Sequence, residues 1–444
     1  LTLTLGQGSS ISGMDNDFVA QTATRFQIPG AAVAVLHDGR ERFFCHGVTS
    51  VENPLPVNED TLFLLGSVTK TYTATAIMRL VADGRVELDA PVRRYVPELR
   101  LADGREFSVR QLLNHTSGLD WGTLVDTGEG DDALRRHVAE LAALKLVGGV
   151  GERPSYSQSG YNLAGRIIEN VTGQTYEQAV TSLLLEPLGL DNTHFGRDAV
   201  MTRRFAVGHE KGAVARPWRH WRAQNPGGGI AASVRDLLAW ARFHLSDNEL
   251  EEMRRPTAVL RGSNLGDAIG VGWFLREIDG VQAIGHGGSS NGQFAELLIV
   301  PERGFAVVSV ANQGPDGIPF NQAVVRESLR SHLGVLDRDP EPLPHDAAAA
   351  REVVGEYGND AMVMTIDDTG DGLVLEVLIR QEIRASAEAE LPADHAPFPL
   401  GLLPNDEYVI TAGAFSGQRG FFTRDGSGAV VGVDLAGRTF GRVR

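Results

Sequence analysis

The chain has 444 residues, enough for one large domain and a smaller companion. With 42% apolar residues it can build a substantial core, and its formal charge of −16 argues against a nucleic acid or an anionic membrane as the main partner, since neither attracts an acidic field. One cysteine, Cys45, rules out an internal disulfide, and no apolar run approaches the roughly 18 residues of a membrane span.

In chain order, "AAVAVLHDGR" and "ERFFCHG" read as two strands joined by a turn at "HDGR", with Cys45 a buried strand residue. A helix starts near Ser67 and runs through "TYTATAIMRLVAD" to a stop at Gly84. "DAPVRRYVPEL" is a proline-interrupted connection, and "SVRQLLNHTSG" a short helix ending in a turn. "SGYNLAGRIIENVTG" and "TYEQAVTSLLLEPLGL" are consecutive amphipathic helices, the first stopped by Gly173. "SVRDLLAWARFHL" opens on a Ser-x-x-Asp capping signature at Ser233. Four strand-like runs follow, "GVGWFLREI", "VQAIGHGG", "FAELLIV" and "GFAVVSVAN", and then a helix around "FNQAVVRESLRSHL". Strands at both ends with helices between them imply an α/β domain whose terminal strands pair in one sheet.

"GVLDRDPEPLPHDAAAA" reads as a linker. Beyond about residue 351, six short strands at regular spacing, from "AMVMTIDD" to "RTFGRV", are the signature of a small all-β sandwich or barrel. The expected division is an N-terminal extension over 1–19, a main domain over 20–335, a linker over 336–350 and an all-β domain over 351–444. Because the chain opens on Leu1, it fits either a soluble cytoplasmic protein or a secreted one whose signal peptide has been removed.

The usual metal and cofactor signatures are missing, so neither a metal nor a cofactor is expected. Two glycine motifs are decoys. "GSSNG", Gly288 to Gly292, matches the G-x-S-x-G elbow, but a strand rather than a helix follows it, so Ser290 reads as a turn residue. "GGGIAA" from Gly227 lacks the preceding strand of a dinucleotide loop. "SVTK" is different. The chain holds only three lysines, Lys70, Lys145 and Lys211, against 38 arginines, so a lysine here is an exception, and it can give up its proton where arginine cannot. Ser67 and Lys70, three residues apart, share a helix face. The apolar approach "LFLLG" would desolvate the ammonium and lower its pKa. The backbone N–H of Ser67, at a helix start, is placed to stabilise an oxyanion.

The sequence resembles the serine β-lactamase and penicillin-binding-protein superfamily over residues 20 to 335, in the branch holding class C β-lactamases, D,D-carboxypeptidases, D-aminopeptidases and esterases. The landmarks, in order, are "GSVTKTYTA", "VRQLLNHTSGL", "YSQSGYNLAGRIIE", "NPGGGIAASVRDLLAW" and "GHGGSSNGQFAELLIVPERGFAVVSVAN". The resemblance implies a central antiparallel sheet with an all-helical subdomain, and a lipocalin-like barrel for the C-terminal strands. It implies that Ser67 is acylated, that Lys70 takes its proton, and that Tyr156 is a second base or acid, its phenol acidified by the adjacent ammonium. The N–H groups of Ser67 and Ser289 form the oxyanion hole, and Gln158, His286, Gly287 and Gly288 line the substrate. Two positions depart from the family: Gln158 stands where Asn is usual, and His286-Gly287-Gly288 replaces Lys-Thr-Gly or His-Thr/Ser-Gly. A neutral histidine and a lost hydroxyl weaken recognition of penicillin-like anions. The expected activity is a serine hydrolase of esterase or D-stereospecific amidase/peptidase type, with weak or no β-lactamase activity, on a small-molecule or peptide acyl substrate. The alternatives are an acyltransferase or peptide cyclase, a class C-type β-lactamase or D,D-peptidase, and a non-catalytic penicillin-binding-like sensor.

Overall fold

The computed structural model describes residues 14–443 apart from 121, 123–124, 145–147, 219, 360–361, 382–395, 414 and 436. Its centre is an antiparallel sheet built from β1 (Gly30–His37), β2 (Arg40–Gly47), β3 (Ala258–Val259), β4 (Ala268–Ile269), β5 (Phe274–Ile278), β6 (Val281–Ser290), β7 (Gln293–Val300) and β8 (Phe305–Ala311), in the order β2-β1-β8-β7-β6-β5-β4-β3. The expected pairing of terminal strands is present, with Ala34 opposite Val308 in the β1–β8 ladder. β1 and β8 are rich in alanine and valine and are buried almost end to end, because helices cover both sheet faces.

One face carries α1 (Asn16–Arg25) and, from further along the chain, the long helix Gly317–Leu333, which share an apolar core with alternate residues of β1, β7 and β8. The first helix thus begins inside the stretch expected as an N-terminal extension. The other face packs against α2 (Thr69–Ala82), α3 (Gln158–Thr172) and α4 (Val234–Ser246) in a larger core. We label Gly317–Leu333 α5. The capping signals act as expected. The Ser233 hydroxyl accepts the N–H of Asp236 at the start of α4, and Gly173 ends α3 in the left-handed conformation.

The chain leaves α5 in an extended segment that ends in a helix, Ala347–Val353, capped by Asp346. This helix replaces the tail of the expected linker; four consecutive alanines behind an N-cap are a helix start rather than a spacer. Eight antiparallel strands in sequence order then close a barrel: β9 (Gly355–Gly358), β10 (Met362–Asp368), β11 (Leu373–Ile379), β12 (Phe398–Leu403), β13 (Glu407–Ile410), β14 (Arg419–Arg424), β15 (Val430–Leu435) and β16 (Arg438–Arg442). Closure removes the unpaired edges an open sheet of this size would expose. Two of these strands, β9 and β12, escaped the sequence reading, because "GEYG" is too short and "FPLGLL" carries a proline and a glycine inside the strand. No described helix is long and apolar enough to cross a membrane.

Candidate active site

α2 is preceded by one tight 3-10 turn, Gly66–Val68, so Ser67 lies just before the helix, half-buried and open to a cleft. Lys70 lies in the first turn of α2 and is fully buried. Its Nζ sits 3.3 Å from Ser67 Oγ, 2.8 Å from Gln158 Oε1 and 2.7 Å from the carbonyl oxygen of Gly227. Burial, with the charge of Arg438 adding to it, holds the Lys70 ammonium well below the ordinary lysine range. A neutral amine has two N–H donors and one lone pair. Gln158 and Gly227 accept the two donors, which leaves the lone pair for the hydroxyl of Ser67.

Tyr156 completes the cluster. Its ring centroid is 4.9 Å from Lys70 Nζ, and its hydroxyl shares a hydrogen bond with Ser67. The expectation of an acidified phenol is overturned: burial pushes Tyr156 up to about 12, outweighing the Ser67 hydrogen bond and the Arg438 charge that pull it down. The resting site therefore holds a protonated phenol beside a lysine that its burial biases toward the neutral amine.

β6 runs beside the nucleophile turn. A Cβ built on Gly66, whose φ is +52°, would lie 2.5 Å from the backbone N of Ser289. One built on Gly288 would lie 2.0 Å from Leu65 O and 2.7 Å from the N of Ser67. Only glycines allow this approach, which brings the amides of Ser67 and Ser289 side by side. Ser290 ends β6 and is followed by the hairpin turn Asn291-Gly292, both with positive φ, so it is a turn-edge residue and no elbow forms.

His286 is buried, and that burial lowers its pKa to about 3, with Lys70 adding to it whenever the lysine is protonated, so His286 is neutral; its Nδ1–H donates to the Gly287 carbonyl at 2.6 Å. Gly287 faces the opposite side of the strand from Gly288, where a Cβ would meet Glu296 Oε2 at 2.8 Å. Gln158 is held by the protein: while Oε1 faces Lys70, Nε2 reaches Asn162 Oδ1 at 3.3 Å and the Gln224 carbonyl at 3.4 Å. A Cβ on Gly227 would overlap the Gln158 side chain, so the glycine-rich segment is shaped around this longer amide.

Three contributors were not legible in the sequence. Arg438, on barrel strand β16, has its guanidinium carbon 5.8 Å from the Tyr156 ring centroid, and the adjacent Gly437 carbonyl accepts the Tyr156 N–H at 2.8 Å. The barrel thus borders the nucleophile directly. No motif marks Arg438, because its role exists only once the barrel docks. His115, within "NHTSG", accepts the Ser157 N–H at Nδ1 (3.0 Å) and packs its ring 4.4 Å from that of Tyr156. The Gly227 carbonyl is backbone and carries no side-chain signal at all.

Two clefts meet at Ser67, Tyr156, Ser289 and Arg438. One, of about 550 Å³, runs along β6 toward α5, and the other, of about 250 Å³, runs toward Gln158 and His220. Among the described residues no group of three or more metal-ligating side chains converges.

The chain is similar to known proteins in sequence and in fold. Penicillin-binding protein 4 of Amycolatopsis lactamdurans is 34% identical over 353 residues, covering 73% of this chain and 92% of that protein. The crystal structure of SurE matches 96% of this chain and 98% of its own at TM-score 0.72 and 26% identity, and a SurE structure with D-Leu matches 95% and 97% at 0.72 and 27%. A class C β-lactamase structure shares the fold over 71% of this chain and 97% of its own, at TM-score 0.62 and 24% identity. The profile of the Beta-lactamase family matches residues 16–326, and the chain is a member of that family, an enzyme of the serine β-lactamase and penicillin-binding-protein superfamily.

Proposed function

We propose that this enzyme cleaves ester or amide bonds through an acyl-enzyme on Ser67, as an esterase or D-stereospecific amidase/peptidase. The observation that carries this reading is the environment of Lys70, whose two N–H donors are taken by Gln158 and Gly227 while its third direction faces Ser67 Oγ. The neutral amine accepts the Ser67 proton as Oγ attacks the acyl carbon. The negative charge that develops on the carbonyl oxygen is met by the N–H groups of Ser67 and Ser289. The protonated Tyr156 passes its proton to the leaving oxygen or nitrogen, and the proton that Lys70 took from Ser67 returns to the phenolate from the neighbouring Lys70 ammonium. Water in the second cleft repeats the sequence in reverse and frees the acid product.

Neutral His286 and the missing hydroxyl at Gly287 support substrates other than penicillin-type anions. The full-length likeness to SurE, solved with D-Leu, supports an acyl group built on D-amino acids. A second reading, transfer of the acyl group to an amine, rests on the second cleft meeting the nucleophile from the other side. Ser67→Ala should abolish turnover of p-nitrophenyl esters and D-amino-acid amides and end labelling by a fluorophosphonate. Undiminished hydrolysis by that variant would sink the mechanism. Product analysis with and without an added amine separates hydrolysis from transfer, and nitrocefin tests β-lactam turnover.

A further inference from the structure

Glu296, on β7, lies directly opposite Gly287 of β6. Because Gly287 has no side chain, the Glu296 carboxyl lies across it, with Oε2 2.8 Å from where a Cβ would stand. Residues 286–290 of β6 pair with β7 alone, since β5 pairs only as far as Gly285, so their outer edge opens into the larger cleft. Glu296 and Ser67 line this same cleft.

Among the described residues the Glu296 carboxyl has no hydrogen-bond donor and no ion-pair partner. The cations near it are engaged elsewhere. Arg276 of β5 bonds Asp337 at 2.5 Å, and Arg326 of α5 bonds Asp337 and Asp339. His286, the titratable neighbour on β6, is neutral. Glu296 therefore adds a carboxyl beside two arginines, Arg276 and Arg326, that already face Asp337 and Asp339. Burial pushes it up to about 7, with Arg276 pulling it down and Asp337 raising it, as expected of a carboxylate short of a countercharge.

We infer that Glu296 is a specificity residue that binds an ammonium group on the acyl part of the substrate, one chain length away from the scissile carbonyl. This rests on the acyl-enzyme reading above and names its substrate class. The distance follows from the strand: Gly287 lies two residues from Ser289, about 7 Å along β6. That span suits an ω-amino acyl chain of about five methylenes or the free amine of a short peptide. In the family pattern a hydroxyl stands at this strand position, and here a carboxyl covers it, so the favoured charge is inverted.

The test is a series differing only in terminal charge: p-nitrophenyl 6-aminohexanoate, heptanoate and the adipate monoester. In the wild type kcat/KM should fall in that order, with the ammonium ester favoured over the methyl ester by about tenfold or more. In Glu296→Gln that ratio should collapse toward one. A wild-type ratio of one or less, or a ratio unmoved by Glu296→Gln, overturns the inference. Calorimetric binding of 6-aminohexanamide against heptanamide, in the Ser67→Ala background with and without Glu296→Gln, reads the subsite without turnover. Glu296-dependent preference for the amine there, together with wild-type inertness toward every ester, would sink the hydrolase reading and leave the subsite standing. Equal binding of the two amides sinks the subsite alone.

Discussion

Arg438 adds to the burial that holds down the Lys70 ammonium, and removing its charge should move the acid side of the pH profile. Lys70 Nζ and the Arg438 guanidinium carbon lie 4.9 and 5.8 Å from one ring centroid, that of Tyr156, so the two cations are at most about 10.7 Å apart. At an effective dielectric constant of about 20, two unit charges at that limit repel by about 1.5 kcal/mol, and by more if they are closer. That energy favours the neutral amine by roughly tenfold. Arg438→Gln keeps a polar side chain and removes the charge. The fraction of Lys70 able to accept the Ser67 proton then falls about tenfold at any pH below its pKa, and the acid limb of kcat/KM moves upward by about one pH unit. The assay is a kcat/KM profile from pH 5 to 9 on a neutral p-nitrophenyl ester, so that substrate charge does not intervene. A lowered plateau with an unmoved limb would mean that Arg438 contacts substrate only. A limb moving to lower pH would refute the electrostatic argument outright.

Other substitutions probe separate parts of the site. Lys70→Arg should inactivate as fully as Ser67→Ala, because a guanidinium keeps its proton; pre-steady-state acylation bursts would report it. Gln158→Leu leaves one Lys70 donor without an acceptor and should lower kcat by roughly tenfold, with KM little changed. Gly288→Ala forces a Cβ against Leu65 O and the Ser67 amide, and should lower kcat by at least about 100-fold, with circular dichroism reporting whether the fold persists. Asp434, buried in the barrel next to the docked turn, has its carboxyl pushed up to about 7 by burial. The native state then binds the extra proton between about pH 4 and 7, so its contribution is greatest in acid and is lost as pH rises through about 7. Asp434→Asn should therefore melt progressively above the wild type as pH rises from 5 to 8, and an unchanged difference in Tm across that range would count against it.

Local chemistry was readable where it is local. Ser67, Lys70 and the apolar runs of β1 and β8 follow from spacing and polarity, and the Ser233 cap and the Gly173 stop stand where their side chains require. What escaped depends on distant parts meeting. The acidity of Tyr156 was misjudged because the burial of the phenol itself, a tertiary property that no spacing reveals, outweighs the groups that would acidify it. Gln158 looked like a substrate contact, whereas its polar atoms face Lys70, Asn162 and Gln224, a preference visible only once Gly227 is beside it. Glu296 reads in sequence as one polar position of an alternating strand. Register places it over a glycine, and register is a tertiary property.

The central sheet also sets the order in which this enzyme can assemble. The Gly30 amide donates to the Asn312 side chain, a partner 282 residues later in the chain, and β1 has no neighbour on that side until β8 exists. During synthesis the first hairpin must wait for nearly the whole main domain to be made, and the entropy of closing that long loop comes before any ladder bond repays it. The helices around α2 and α3, rich in short-range contacts, can form earlier. While they wait, β1 presents a long apolar edge able to pair with another chain, so the slow phase of refolding should involve sheet closure and should aggregate more at higher protein concentration.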